Sequence, residues 1–152
     1  MIDQPTIGDI DLHLIGEGRH ERLWDVLGAH VGQLAGVTGT SFAVWAPNAR
    51  EVRVAGDFNS WDGITHPLRQ IGGGVWTTFV PGIGDGALYK FQILGADGAW
   101  REKADPMAQR TEVPPRTASV VYRSSYDWKD GDWLARRANT QAHREAMSIY
   151  EV

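Results

Sequence analysis

From Thr40 the chain alternates apolar and polar positions with a period of two. Phe42, Val44 and Ala46 fall on one side of the alternation and Ser41, Ala43 and Trp45 on the other, until Pro47-Asn48 interrupts it. Successive strand residues point to opposite faces, so this pattern predicts a strand with one face buried. Val52 and Val54 flanking Arg53 predict a second short strand, closed by Gly56-Asp57. Val75–Val80 predicts a third, between the Gly72-Gly73-Gly74 turn and Pro81-Gly82. Leu88–Leu94 predicts a fourth, with Tyr89, Phe91 and Ile93 on one face and Lys90 and Gln92 on the other. Asp97-Gly98 is a hairpin signal leading into a short strand that holds Trp100 and Glu102. A last strand is expected over Ala118–Tyr122.

Ahead of this region the period changes. Glu21–Ala29 places Leu23, Trp24 and Leu27 on one helical face, opposite Glu21, Arg22 and Asp25, with Gly28 as a stop. That spacing predicts a short amphipathic helix. After Trp128 the chain becomes charged and helical in tendency, with Asp132 as an N-cap, and Met147–Val152 reads as a strand with no partner. Short strands separated by Gly, Pro, Asn and Asp turns predict an antiparallel sandwich or small barrel. No long helix alternates with them, which argues against a parallel α/β sheet. The expected organisation is a lead-in segment over 1–36, a β-domain over 37–124 and a C-terminal linker over 125–152.

Length and composition narrow the function classes. At 152 residues there is room for one domain and some attached tail. The net charge is −4 and the basic residues are dispersed, so a nucleic-acid partner is not expected. The absence of cysteine excludes disulfides and thiolate metal sites and fits a reducing cytoplasm. The first residues lack the basic and apolar regions of a secretion signal, and no apolar run is long enough to cross a bilayer, so a soluble protein without a membrane partner is expected.

Catalytic chemistry finds little support. Asp57, Asp62, Asp85, Asp97, Glu102 and Asp105 are available, but most adjoin Gly, Pro or Asn and read as turn formers. His13, His20, His30, His66 and His143 lack metal-ligand spacing, and Gly72–Gly74 lacks the Lys-Ser/Thr of a phosphate loop. No cofactor is expected. Binding reads better. A pyranose ring has an apolar C–H face and a rim of hydroxyls, which suits a flat indole beside short polar groups. Among seven tryptophans, Trp61 sits in a turn-rich loop with Asn59, Ser60 and Asp62. Lys90 points off the apolar face of its strand, and Trp100 follows the hairpin that leaves the same strand. Trp45 and Trp76, inside strands, are core candidates. Trp24 is expected to anchor the helix, and Trp128 and Trp133 to pack the tail.

The stretch GVTGTSFAVWAPNAREVRVAGDFNSWDG, followed by HPLR, VWTTFVPG, LYKFQI and ADP, resembles the carbohydrate-binding module of family 48. DLHLIGEGRHERLWDVLGAH and the terminal MSIYEV resemble the corresponding region of bacterial 1,4-α-glucan branching enzymes. The resemblance implies an immunoglobulin-like antiparallel β-sandwich and makes Met147–Val152 the first strand of a catalytic barrel. It matches no catalytic residue to this chain. It implies a glucan or glycogen site on Trp61, Lys90 and Trp100. Where family members carry an asparagine on the last strand, this chain offers Thr117, Ala118 and Ser119. Asn59, Asp62 and Ser119 complete the candidate site. The expected function is positioning of α-1,4-glucan for a branching enzyme in glycogen biosynthesis, or, alternatively, structural docking onto the catalytic barrel without sugar binding.

Overall fold

The computed structural model describes residues 7–140, 144 and 146–151; His143 and Val152 lie outside them. Two antiparallel sheets pack face to face. Among the described residues nine strands build them: β1 (Gly28–Leu34), β2 (Val37–Trp45), β3 (Glu51–Gly56), β4 (Arg69–Gly72), β5 (Val75–Pro81), β6 (Leu88–Leu94), β7 (Trp100–Lys103), β8 (Arg110–Thr111) and β9 (Ser119–Val120). The first sheet runs β1-β2-β5-β4; the second runs β3-β6-β9-β8, with β7 also paired to β6. Of the sandwich and small barrel that the alternating pattern allowed, this is the sandwich, in the all-β, immunoglobulin-like form that the resemblance implied.

The alternation dictates the core. Phe42 and Val44 of β2, Val52 and Val54 of β3, Trp76 and Val80 of β5, and Tyr89 and Phe91 of β6 all point between the sheets. Phe42 meets Tyr89 edge-on, with ring centroids 5.0 Å apart, a favoured aromatic geometry. A second apolar cluster lies on the far side of the first sheet. There Ala43 and Val75 are covered by Ile7 and Leu27, with Leu12, Ile15 and Leu23 alongside. The lead-in is therefore a third layer.

That layer differs from the expected helix over Glu21–Ala29. The α-helix α1 is Asp9–Gly16, and Leu23–Asp25 forms only a single 3-10 turn. Gly28 does not stop a helix; it starts β1, and its φ of 102° suits glycine alone. The strand Gly28–Leu34 thus falls inside the segment assigned to the lead-in and pairs along its length with β2. The linker carries α2 (Gly131–Asn139), preceded by Asp130, so Asp132 sits in its first turn and is not the cap. Met147–Glu151 adopts no regular structure: an isolated strand has no neighbour to take its backbone hydrogen bonds. Among the described residues no helix is long and apolar enough to cross a membrane.

Trp45 and Trp76 separate. Trp76 is in the core, with its indole N–H donated to the Ala46 carbonyl at 3.0 Å. Trp45 pairs with Val75 on the opposite face, is 55% exposed and donates its N–H to the Gly73 carbonyl. The expectation of a buried Trp45 is therefore overturned by its position in the pleat. Trp24, Trp128 and Trp133 are also exposed. Trp128 packs edge-on with Tyr126, and Arg137 lies over Trp133.

Candidate functional site

The outward face of the second sheet collects the sugar-site candidates. On β6 the residues opposite Tyr89 and Phe91 in the alternation are Lys90, Gln92 and Leu94. Across the pairings, Ala55, Arg53 and Glu51 of β3 stand beside them on one side, and Glu102 and Trp100 of β7 on the other. Paired residues share a face, so Lys90, Trp100, Glu102 and Arg53 all project outward together.

The Trp61 loop folds over this face. Gln92 Nε2 donates to the Trp61 carbonyl at 3.3 Å. Gly63 is buried against Gln92 and Arg53 so closely that an added Cβ would lie 2.7 Å from Gln92 Oε1 and 2.8 Å from Arg53 Cβ. The loop is shaped by its own polar groups. Asn59 Oδ1 accepts from the Gly56 N–H at 2.8 Å, and Asn59 Nδ2 donates to the Val54 carbonyl at 3.0 Å and lies 3.0 Å from His66 Nδ1. Asp62 Oδ1 accepts from the Ile64 N–H at 3.0 Å. Between them Ser60 and Trp61 take left-handed conformations, with φ of 55° and 62°, uncommon for residues other than glycine. The outcome is an indole that stays 38% exposed.

Trp61 and Lys90 line a shallow cavity of about 370 Å³ with Glu102, Glu112, Arg116 and Thr117. Lys90 Nζ donates to Glu102 Oε1 at 2.9 Å. Trp100 stands outside this lining, on the same face, 44% exposed, with the Arg53 guanidinium 4.2 Å from its ring centroid. The sequence candidates thus divide. Trp61, Lys90 and Trp100 share a surface; Asn59 and Asp62 hold the loop.

Ser119 does not belong with them. It pairs with Tyr89 on the inward face, is fully buried, and its Oγ accepts the Asp105 N–H at 2.9 Å. The exposed polar side chain contributed by this segment is Thr117. One acid keeps the strand position expected of it and another is placed differently from the turn expected. Glu102 is in β7, facing out. Asp105 is buried, accepting from the Tyr89 hydroxyl at 2.6 Å and the Met107 N–H at 2.8 Å. Burial raises the Asp105 carboxyl above its ordinary value, against the pull of those two bonds and of His30. Burial, then Asp105, raises the Tyr89 hydroxyl as well. A tyrosine on an apolar strand face needs a partner for its O–H, a signal that could have led to Asp105. Asp97 does sit in its turn, held well below the carboxylate range by hydrogen bonds from Arg101 and the Ala99 N–H.

On the other side of the molecule, the lead-in and the first sheet enclose an apolar cavity of about 280 Å³, lined by Ile15, Leu23, Leu27, Trp45 and Met107 among others. Among the described residues no group of three metal-ligating side chains could hold an ion.

The profile of carbohydrate-binding module 48, the isoamylase N-terminal domain, matches residues 26–108. The chain is 61% identical over 149 residues to 1,4-alpha-glucan branching enzyme GlgB 1 of Streptomyces coelicolor, covering 97% of this chain and 19% of that protein. It is 61% identical over 153 residues to GlgB of Thermobifida fusca, covering 97% and 20%. The chain therefore spans about a fifth of the length of these relatives. Pullulanase type I from Bacillus subtilis, solved with maltose, superposes with a TM-score of 0.55 at 28% identity, over 68% of this chain and 14% of that one. A pullulanase from Paenibacillus barengoltzii shares the fold with a TM-score of 0.54 at 22% identity, over 81% and 20%. With the profile covering more than half of the residues and the sandwich matching as well, the chain belongs to the carbohydrate-binding module 48 family.

Proposed function

We propose that this domain binds α-1,4-glucan of the glycogen type on the outward face of its second sheet and serves a 1,4-α-glucan branching enzyme. The observation that carries the reading is the pair of exposed tryptophans, Trp61 and Trp100, on the sheet face that also presents Lys90. Each indole offers a flat apolar surface to the C–H side of a glucose unit, and the ammonium, with one N–H given to Glu102, has two left for the hydroxyl rim. Weak affinity suffices, because a tethered binding site raises the local concentration of substrate at an attached catalytic domain. Affinity electrophoresis in gels containing glycogen or amylose tests it. The chain should be retarded, and Trp61→Ala and Trp100→Ala should each abolish most of the retardation with the melting curve unchanged. Equal mobility with and without glucan would overturn the reading.

The apolar cavity at Trp45 supports a second, compatible role. Trp45 lines it and is 55% exposed, so an apolar cavity wall and a large aromatic stand open to a covering partner. Branching-enzyme relatives are about five times longer than the stretch they share with this chain, and we assign the cavity to the catalytic barrel of such an enzyme. Trp45→Ser should lower the Tm of the domain fused to its barrel by more than it lowers that of the isolated domain, where only half an indole and its bond to Gly73 are lost. An unchanged Tm of the fusion would count against docking here.

A further inference from the structure

Lys90 and Glu102 form an ion pair that opens onto the glucan face, and the pairing invites a question of purpose. A surface ion pair of this kind stabilises a fold by at most about 1 kcal/mol. Its neighbours in the same cavity have other duties: Glu112 Oε2 accepts the Ala118 N–H at 3.2 Å and so helps fix the β8–β9 hairpin. Glu102 has an outward position on β7, a side chain that is 43% exposed, and one oxygen, Oε1, engaged by Lys90 at 2.9 Å. Trp61 lines the same cavity.

We infer that Glu102, working with Lys90, is a sugar-contacting residue: the two form an acceptor–donor clamp for a vicinal diol of the glucan. The inference rests on the glucan reading above. The chemistry is that of the diol. Each hydroxyl of a neighbouring pair both donates and accepts, and the two oxygens lie about a hydrogen-bond length apart. A carboxylate oxygen and an ammonium nitrogen 2.9 Å apart complement such a pair: one hydroxyl donates to Glu102 and its neighbour accepts from Lys90. The ammonium keeps two N–H donors after serving Glu102, and the carboxylate keeps most of its lone-pair sites. Hydrogen bonds to charged partners are the stronger kind, and the indole of Trp61 supplies the apolar floor that fixes which side of the ring faces down. Glu102 thereby provides the polar contact that the buried Ser119 cannot.

Calorimetric titration of the chain with maltoheptaose tests the clamp. Glu102→Ala should weaken binding about tenfold, the loss expected for one charge-assisted hydrogen bond, with an unchanged melting curve. Glu102→Gln, which keeps one acceptor oxygen at the same reach, should recover part of the loss. Malto-oligosaccharides deoxygenated at O2 or at O3 supply the readout that a structural role would not move. For one of them the wild type should weaken while Glu102→Ala weakens no further. Wild-type or tighter binding by Glu102→Ala would mean that Glu102 merely occupies Lys90, and additive losses with both deoxy probes would mean that it touches no hydroxyl; either overturns the clamp. If Trp61→Ala abolishes binding in the same series, the glucan reading survives that failure. Absence of binding by the wild-type chain overturns both.

Discussion

The guanidinium of Arg53 lies over the indole of Trp100, its carbon 4.2 Å from the ring centroid, while its Nε donates to Glu51 at 2.6 Å. Arg53 is on β3 and Trp100 on β7, so the contact spans β6 and bridges three strands. An exposed tryptophan on a short strand would otherwise sample several rotamers. Stacking on a planar cation that is itself tied to a carboxylate restricts it.

Arg53→Ala should therefore weaken glucan binding about threefold to tenfold, through the ordering cost of a single freed side chain. Its effect on stability should stay below about 1 kcal/mol, since the contact is at the surface. Arg53→Lys should fall between, because an ammonium cannot stack as a planar fork. Titration of tryptophan emission with maltoheptaose measures this, and a binding curve unchanged in Arg53→Ala would rule it out.

The turn at the Trp61 loop leads to a second prediction. Ser60 has φ 55° and ψ 31°, a conformation that costs an L-residue about 1–2 kcal/mol relative to glycine. Ser60→Gly should relieve that strain but add freedom to the unfolded chain, worth about 0.4–1 kcal/mol. The net expectation is a gain of about 0.5–1 kcal/mol, seen as a rise of a few degrees in Tm. Ser60→Val should lower Tm. A fall with glycine would show that the loop is held by something other than its backbone angles.

Much of this was legible in the sequence. The central strands β2, β3, β5 and β6 followed from period two because a half-buried strand imposes that pattern directly. Trp45 was legible too: the alternation placed it with Ser41 and Ala43, opposite Phe42 and Val44, and only the general tendency of large aromatics toward burial argued otherwise. Register prevailed over size. β1 was hidden because Leu23, Trp24 and Leu27 also fit a helical spacing, and the positive φ of Gly28 that turns the chain into the sheet leaves no mark on hydrophobic periodicity. β4 and β8 are too short and too polar to register. At the site, Trp61 could be found from the composition of its turn-rich loop, and Lys90 and Trp100 from strand alternation and one hairpin. Glu102 and Arg53 could not, because their contribution depends on which strands lie side by side, and the choice between Thr117 and Ser119 turned on which of them the last strand buries.

The buried polar pair makes a third prediction. Tyr89 is fully buried and its hydroxyl donates to Asp105 Oδ2 at 2.6 Å. Tyr89→Phe keeps the ring and its contact with Phe42 but removes the donor. It should destabilise the domain by about 1–3 kcal/mol, the cost of leaving a buried acceptor short of its partner, in equilibrium urea unfolding. No measurable change would mean that water takes the place of the hydroxyl.

Two carboxyl groups should give opposite pH signatures. Burial holds the Asp105 carboxyl above its ordinary value of 3.8, so the folded domain keeps that proton longer than the unfolded chain. Its contribution to stability therefore falls as pH rises from about 3.8 through the higher folded value. Asp11 is lowered, first by the Gly8 N–H donated to Oδ2 at 2.9 Å and then by His20, whose Nε2 is 3.0 Å from Oδ1. Its contribution is present above 3.8 and is lost as pH falls through the lower folded value. Urea unfolding of the wild type, Asp105→Asn and Asp11→Asn between about pH 3 and about pH 7 separates the two. Relative to Asp105→Asn, the wild type should be at its best at the acid end and lose ground as pH rises. Relative to Asp11→Asn, its advantage should grow with pH and then level off. Both differences sloping the same way would contradict the opposite electrostatic settings of the two groups, one buried against Tyr89 of the second sheet and the other anchoring α1 to His20.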